Sequence, residues 1–245
     1  MGRQMILTAF FSALGQISDP RFRRVLLLGI ALTIALLVAA TTGFVWFIGW
    51  LTADGVSLPW IGTITWLGDI ITWSSFFLFL VLSIFLMMPV ASAITSMFLD
   101  EVAQAVEDKH YSHLPPAQNV PFGDALVDTI NFLGVLIGAN ILALILYVIF
   151  APAAPFIFWG LNGFLLGREY FTLAAMRRVG RARAKELRSA HNGTIWLAGT
   201  LMAIPLSIPL VNLLIPIIGA ATFTHIFHAV TAAPAPGQRS SYRPD

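Results

Sequence analysis

The chain alternates between long apolar stretches and short clusters of charge. Its 26 formally charged residues leave four stretches without Asp, Glu, Lys or Arg, at residues 25–53, 70–99, 129–167 and 189–238. These stretches contain 29, 30, 39 and 50 residues. A charged side chain is costly at the centre of a bilayer, and a helix needs only about 20 apolar residues to cross one. The pattern therefore predicts an all-α integral membrane protein.

The first two stretches predict complete transmembrane helices, at about residues 25–51 and 70–99. At about 1.5 Å per residue each stretch reaches roughly 40 to 45 Å, which exceeds the hydrocarbon thickness of about 30 Å. A helical stripe of apolar residues continues past the second stretch among Asp100, Glu101 and Glu107. The second helix is therefore predicted to extend into the cytoplasm to about residue 111.

Prolines divide the other two stretches. Pro152 and Pro155 split the third into arms of 22 and 12 residues, and Pro205 and Pro209 cut the fourth, leaving residues 194–204 as an arm of about 16 Å. Arms this short do not cross a bilayer comfortably. The sequence therefore favours two re-entrant, hemi-penetrating helical hairpins at about 127–167 and 194–230. Six tight spans, with charged residues snorkelling to the interface, remain the alternative.

The two ends of the chain have different characters. Leu7, Phe10, Phe11, Leu14 and Ile17 recur at the spacing of one helical face, which favours an interfacial amphipathic helix over a cleaved signal peptide. Residues 232–245 are rich in Pro, Ser and Arg and are predicted to be disordered. Residues 1–231 are therefore predicted to form a single membrane domain.

Composition and charge agree with a membrane location. The chain is 58% hydrophobic and 11% charged, whereas soluble domains are about 25% charged. Its net charge of +2 is too small to predict a nucleic-acid partner, and it contains no cysteine. Every Lys and Arg lies before residue 25 or after residue 99. The positive-inside rule then places both termini in the cytoplasm.

The most suggestive local motif is the run from Asp19 to Arg24 before the first span. Asp19 suits an N-cap and Pro20 the first helical position. The unpaired N–H groups of a helix N-terminus, together with Arg23 and Arg24, would suit a tetrahedral oxyanion. Basic residues at this point also commonly set topology and touch lipid phosphates, and on sequence physics alone we favour that ordinary role.

Other candidate sites are weaker. Arg177, Arg181 and Arg188 share one face of a predicted helix, where they could collect anions, although a solvated or headgroup-binding face is the more ordinary role. Two histidine pairs, His110 with His113 and His225 with His228, lack a third ligand at suitable spacing. We predict no metal, no cofactor and no catalytic set, and hence no enzyme.

Three patches resemble the CysZ family of bacterial sulfate permeases, over about residues 10–230. Pro20 to Arg24 is similar to the family's Pro-Gly-Leu-Arg-Arg, with Arg21 and Phe22 in place of Gly and Leu. Glu169-Tyr170 follows an aromatic and Gly-rich segment, as in the family. Residues 208–216 include Asn212 and Pro216 and are similar to the family's Pro-x-x-Asn-Leu near the last hairpin tip.

The resemblance implies a multi-pass protein of the bacterial cytoplasmic (inner) membrane with two long spans and two hemi-penetrating hairpins. It also implies a homo-oligomer that admits sulfate for sulfur assimilation and cysteine biosynthesis. Carried over by position, the sulfate-contacting residues are Arg21, Phe22, Arg23 and Arg24. The alternative function is a non-transporting scaffold that binds anionic lipid or partner proteins, and a lipid-modifying enzyme is a distant third.

Overall fold

The computed structural model describes residues 2–51, 56–58, 62–64, 70, 73–81, 90, 94, 97–118 and 120–232. Its labelled helices are α1 (Gly2–Gly15), α2 (Pro20–Leu51), α3 (Leu99–His110), α4 (Phe122–Ile149), α5 (Ala154–Ala190), α6 (Asn192–Ala203), α7 (Pro209–Asn212) and α8 (Ile215–Ala232). Residues 73–81 are also helical. The helical class is confirmed. A short antiparallel pair, β1 (Val56–Leu58) with β2 (Gly62–Ile64), was not predicted.

The helix breaks fall at the prolines. A 3-10 turn at Ala151–Ala153 separates α4 from α5, and a second at Ile204–Ser207 separates α6 from α7. Proline lacks an N–H and therefore suits the first turn of a new helix. Pro155 lies in the first turn of α5, Pro209 begins α7, and Pro216 lies in the first turn of α8. The helix breaks predicted at these prolines are confirmed.

Three described helices are long and apolar enough to cross a membrane: Pro20–Trp50, Phe122–Ile149 and Ile215–Ala232. They differ in how much of their surface other parts of the protein cover. In the most apolar 18-residue segment of each helix, the buried share is 17% for the first helix, 6% for the second and 83% for the third. The first two therefore present apolar side chains outward, as lipid-facing helices do, whereas α8 owes its apolar character to burial in protein.

The chain divides into two compact units. The first comprises Met1–Val25 and Phe98–Asp245, and α8 forms its core. Every α8 residue from Ile215 to Phe227 is buried. This helix packs against α1, α3 and α5. The second predicted hairpin has α6 and α8 as its arms, but these two helices make little contact with each other.

The most extensive contact in this unit joins α5 to α6, and glycines make it close. A Cβ atom on Gly199 would overlap the carbonyl oxygen of Gly163, and one on Gly167 would lie 2.6 Å from the carbonyl oxygen of Ile195. Gly163 and Gly167 of α5 therefore allow α6 to approach closely. Gly138 of α4, by contrast, has open space beside it.

The second unit, Leu26–Met97, contains the rest of α2 and the β1–β2 pair. Within it the rings of Phe44 and Phe79 stack with centroids 5.1 Å apart. Most of the predicted span at 70–99 lies outside the described residues. A turn at Met97 and Phe98 precedes α3, so the predicted helical extension ends near residue 111 as expected but begins as a separate helix. Asp100 and Glu101 favour this start because acidic residues stabilise the first turn.

The N-terminal helix is confirmed as α1, but its two sides differ from a simple amphipathic pattern. Ile6, Ala9 and Ala13 are buried, and α1 packs against α8. Leu7 and Phe11 are exposed. Leu7 and Phe11 of the predicted face are thus left for an apolar environment outside the protein, and Ile6, Ala9 and Ala13 are the buried residues of α1. The predicted disordered tail lies outside the described residues from 233 onward.

Candidate functional site

The junction between α1 and α2 forms as its sequence predicted. The carboxylate of Asp19 accepts a hydrogen bond from the Arg21 backbone N–H at 2.9 Å, and the Asp19 carbonyl oxygen accepts one from the Arg23 N–H at 3.1 Å. Asp19 is therefore the N-cap of α2. Gln16 donates to the second Asp19 oxygen at 3.1 Å and to the carbonyl oxygen of Ala105 in α3 at 3.0 Å. These bonds fix the start of α2 against α3.

The four predicted sulfate-contacting residues divide into two pairs. Phe22 is 1% exposed and, with Val25, anchors the first turns of α2 in the core. Arg21 forms an ion pair with Asp108 of α3. Arg23 and Arg24 are exposed, and no ion pair joins either of them to another described residue. Arg23 and Arg24 are thus the arginines of the motif whose charge no described residue neutralises.

Asp108 is the carboxylate that pairs with the Arg21 guanidinium. The hydrogen bond from Arg21, followed by one from Gln104 at 2.7 Å, lowers the pKa of the Asp108 carboxyl below its ordinary value. Asp108 therefore stays ionised at neutral pH and holds the Arg21 guanidinium. Both side chains are about half exposed, so the ion pair is a weak one that a stronger oxyanion could displace.

A buried charge cluster, which the sequence did not reveal, lies between α3, α5 and α8. Glu107 is 1% exposed. Arg178 donates to its two oxygens at 2.8 and 2.7 Å, and His228 Nε2 lies 3.0 Å from Oε1. Arg177 lies 3.7 Å from the same carboxylate and donates to Gln104 at 2.6 Å. Every formal charge in the cluster has a partner, as burial demands.

Opposing effects act on the pKa of Glu107. Burial opposes its ionisation, but the hydrogen bonds from His228 and Arg178 and the positive charges of Arg177 and Arg178 outweigh burial and lower the pKa to about 2. The sequence carried one signal of this cluster. Position 107 lies four residues after Ala103, on the apolar face of α3, where a carboxylate requires a partner.

The predicted anion or headgroup cluster does not form one exposed face. Arg177 is buried at Glu107, and Arg188 donates to the Thr172 hydroxyl at 2.7 Å. Arg181 is half-buried, and its Nε has no partner among the described residues. Gly180 has a φ of 74° and interrupts the helical repeat, so residues before and after it do not continue one face.

The histidine contacts join residues of different helices and are not contacts within the two sequence pairs. His110 of α3 and His225 of α8 have ring centroids 4.9 Å apart, and Tyr111 stacks on His228 at 4.0 Å. The Tyr111 hydroxyl lies 2.9 Å from His225 Nδ1. Within the described part of the chain no group of three or more His, Cys, Asp or Glu could hold a metal ion.

Two comparisons bear on what this site does. Residues 9–216 match the family model described as Sulfate transporter CysZ/Etoposide-induced protein 2.4. The match covers the α1–α2 junction, the buried charge cluster except His228, and both helix breaks. No curated protein matches the chain.

Proposed function

This chain belongs to the Sulfate transporter CysZ/Etoposide-induced protein 2.4 family, and we propose that it is a permease or channel for sulfate or a related oxyanion. The family is of a transporter type and not an enzyme family. In this proposal Arg23 and Arg24 recruit the dianion at the start of α2, Arg21 assists after release from Asp108, and Phe22 holds the turn in place.

One observation carries the assignment: Arg23 and Arg24 are exposed and form no ion pair with another described residue, whereas Arg21 is paired with Asp108 and Arg178 with Glu107. An arginine already paired with a carboxylate offers little net charge to a solute. Two adjacent unpaired guanidiniums provide charge and directed donors for a tetrahedral oxyanion. The Asp19 carboxylate occupies the helix N-terminus itself, so we assign recognition to the arginine side chains.

The direct test is radiolabelled sulfate uptake into proteoliposomes containing the full chain. We expect Arg23→Ala combined with Arg24→Ala to reduce uptake at limiting sulfate by about tenfold or more, because a hydrogen bond to a charged group contributes about 1.5 to 3 kcal/mol. The matched control is Arg183→Ala combined with Lys185→Ala. Both control residues are exposed on α5, and their replacement removes the same formal charge.

The control variant should retain uptake close to that of the unaltered protein. An equal reduction of uptake in the two double variants would show that the α2 arginines act only as general positive charge. Uptake unchanged in the α2 variant would contradict the site assignment, and absence of sulfate-dependent uptake in the unaltered protein would contradict the transport function.

We further propose a bacterial inner-membrane location, cytoplasmic termini and two re-entrant hairpins with tips at the 3-10 turns. The length of α6, 12 residues or about 18 Å, supports an arm that does not cross. The chain has no native cysteine, so single cysteines can report topology. Ala153→Cys should resist an impermeant maleimide added outside. Ser57→Cys, in the loop between the two predicted spans, should react, because cytoplasmic termini place that loop outside. Labelling of both would favour six spans.

The competing function is a scaffold that binds anionic lipid, for which Arg183 and Lys185 are exposed on α5 and Arg183 also pairs with Glu186. It predicts liposome binding that depends on anionic lipid, is lost in the Arg183→Ala plus Lys185→Ala variant, and is not reversed by sulfate. We also propose a homo-oligomer, as the family resemblance implies. Crosslinking in membranes followed by mass determination tests that assembly, and a monomer at all protein densities would contradict it.

A further inference from the structure

A cavity of about 410 Å³ opens between α1, α3 and α8, apart from the arginines of α2. Its lining residues are Met5, Thr8, Ala9, Ser12, His110, Tyr111, His225 and Ala229. Liquid water occupies about 30 Å³ per molecule, so the cavity has room for a small solute with part of its hydration shell. Its polar groups come from three different helices and face one space.

Two hydroxyls from α1 contribute to this cavity. Thr8 and Ser12 lie four residues apart and therefore on one face of α1. Neither hydroxyl bonds to another described residue. Elsewhere in the chain helical threonines such as Thr129 and Thr224 donate to the carbonyl oxygen four residues earlier, at 2.8 Å in both cases. The α1 hydroxyls thus keep their donors for a solute.

His225 supplies a buried group that lacks a partner. The residue is 7% exposed, its Nδ1 lies 2.9 Å from the Tyr111 hydroxyl, and its Nε2 bonds to no described residue. Burial, followed by the negative charge of Glu107, raises the pKa of the Tyr111 hydroxyl, which therefore keeps its proton and can donate it to Nδ1. The proton of the neutral imidazole then lies on Nε2. An unpaired buried N–H is costly, and an oxygen ligand would relieve that cost.

Charge favours an anion over a cation in this cavity. No carboxylate is among its lining residues. Glu107, one turn before Tyr111 on α3, is already bound by Arg178. The cavity between α4 and α5 is the opposite case, because its lining includes Asp100, Asp128 and Glu169 with a single arginine. A dianion would be repelled there, whereas uncharged donors dominate beside α1.

We infer that the α1–α3–α8 cavity binds a tetrahedral oxyanion, as free sulfate or phosphate or as a lipid phosphate, through the Thr8 and Ser12 hydroxyls, His110 and His225 Nε2. This inference deepens the proposed function and rests on it for the choice of ligand class. The site differs from the α2 arginines because its donors are uncharged. Binding here is therefore weaker and more readily reversed than capture by two guanidiniums.

The test measures binding and not transport. Calorimetric titration with sodium sulfate and sodium phosphate uses the full chain in neutral detergent, with Arg23→Ala and Arg24→Ala in every sample to remove the first site. Adding Thr8→Val and Ser12→Ala should weaken binding by about tenfold or more, since two donors to an anion are lost. Thr129→Val with Thr231→Val is the control, because both hydroxyls bond their own helix, and it should bind as the parent does.

A second measurement locates the ligand. The imidazole ¹⁵N resonances of His225, assigned by their loss in His225→Gln, should shift with either inorganic anion or in nanodiscs containing phosphatidic acid, compared with phosphatidylcholine alone. A shift with sulfate identifies a free anion, and a shift only with phosphatidic acid identifies a lipid phosphate; both support the site. No shift with any of the three, or equal affinity after loss of the α1 hydroxyls, overturns it.

The outcomes separate this site from the transport function. Binding in the cavity without sulfate uptake by the unaltered protein would retain the site and reject the permease. Uptake that depends on Arg23 and Arg24, combined with unchanged binding after loss of Thr8 and Ser12 hydroxyls, would retain the permease and reject the site.

Discussion

Replacing Glu107 by glutamine should destabilise the first unit strongly. The change keeps the size of the side chain but removes the negative charge that Arg178 contacts through two hydrogen bonds and that Arg177 and His228 approach at 3.7 and 3.0 Å. The Glu107 side chain is 1% exposed and that of Arg178 is 11% exposed, so water cannot readily replace the lost partner. Breaking such a buried pair from one side costs about 3 to 5 kcal/mol.

Helix α5, which carries Arg178, also carries an exposed ion pair that serves as a control. Glu186 forms an ion pair with Arg183 at 2.8 Å, but these side chains are 64% and 61% exposed. An exposed pair contributes about 0 to 1 kcal/mol. In a chain of this size about 1 kcal/mol shifts the Tm by roughly 2 to 4 °C. Glu107→Gln should therefore lower the Tm by about 6 to 20 °C, and Glu186→Gln by at most about 4 °C.

Thermal unfolding in detergent, followed by the fluorescence of the seven tryptophans, measures both shifts. Adding Arg178→Met to Glu107→Gln should recover part of the lost stability, because replacing both members of a buried pair leaves fewer uncompensated charges. If the two glutamine variants unfold at the same temperature, the Glu107 cluster does not hold α3 to α5 and α8, and the reasoning from its burial fails.

Three further changes test other parts of the structure. Gly199→Ala should separate α5 from α6 and lower the Tm, because the new Cβ would overlap the Gly163 carbonyl oxygen. Gly138→Ala is the control and should change the Tm little, because Gly138 has open space beside it. Equal effects of the two changes on the Tm would contradict the close approach of α5 and α6. Asp19→Ala should cost about 1 kcal/mol through loss of the α2 cap, measured by thermal unfolding, and an unchanged Tm would count against that cap. Because the pKa of Glu107 is lowered to about 2, the stability that its ionisation contributes is present above the ordinary glutamate pKa and is lost as the pH falls toward about 2. The Tm of the unaltered protein should therefore fall over that range, and the Tm of Glu107→Gln should fall less. Parallel pH profiles of the two proteins would exclude Glu107 as the cause.

The local parts of this structure could be predicted because they depend on neighbouring residues. Asp19 followed by Pro20 specified a helix start, and the cap forms with a 2.9 Å hydrogen bond. Prolines at 152 and 205 specified the ends of α4 and α6 for the same reason, since a proline ring and its missing N–H act on the preceding turn. Length likewise indicated that α2 could cross a bilayer, whereas the predicted hairpins contain α4 and α8, which are also long and apolar enough to cross one.

The charge cluster could not be predicted because its members are distant in sequence. Glu107 meets Arg178 across 71 positions and His228 across 121. The spacing along α5 predicted one face for Arg177 and Arg181, but Gly180 interrupts that face and the fold buries Arg177 against Glu107 of α3. Pairing of helices was missed for a similar reason. The glycines of α5 allow a close neighbour, yet nothing local specifies that the neighbour is α6 and not α4.

The distribution of paired and unpaired arginines explains how one protein can hold its helices together and still present charge to a solute. Asp108 neutralises Arg21 and Glu107 neutralises Arg178, which leaves Arg23 and Arg24 as exposed charge at the start of α2. Conduction requires binding that is favourable enough to admit an ion and weak enough to release it. In the proposed permease, exposed guanidiniums would satisfy the first condition, since they attract a dianion over a distance, and screening by water limits how tightly they retain it. Uncharged donors in the proposed α1–α3–α8 site would satisfy the second, because an oxyanion held by hydroxyls and a neutral imidazole would leave without breaking an ion pair.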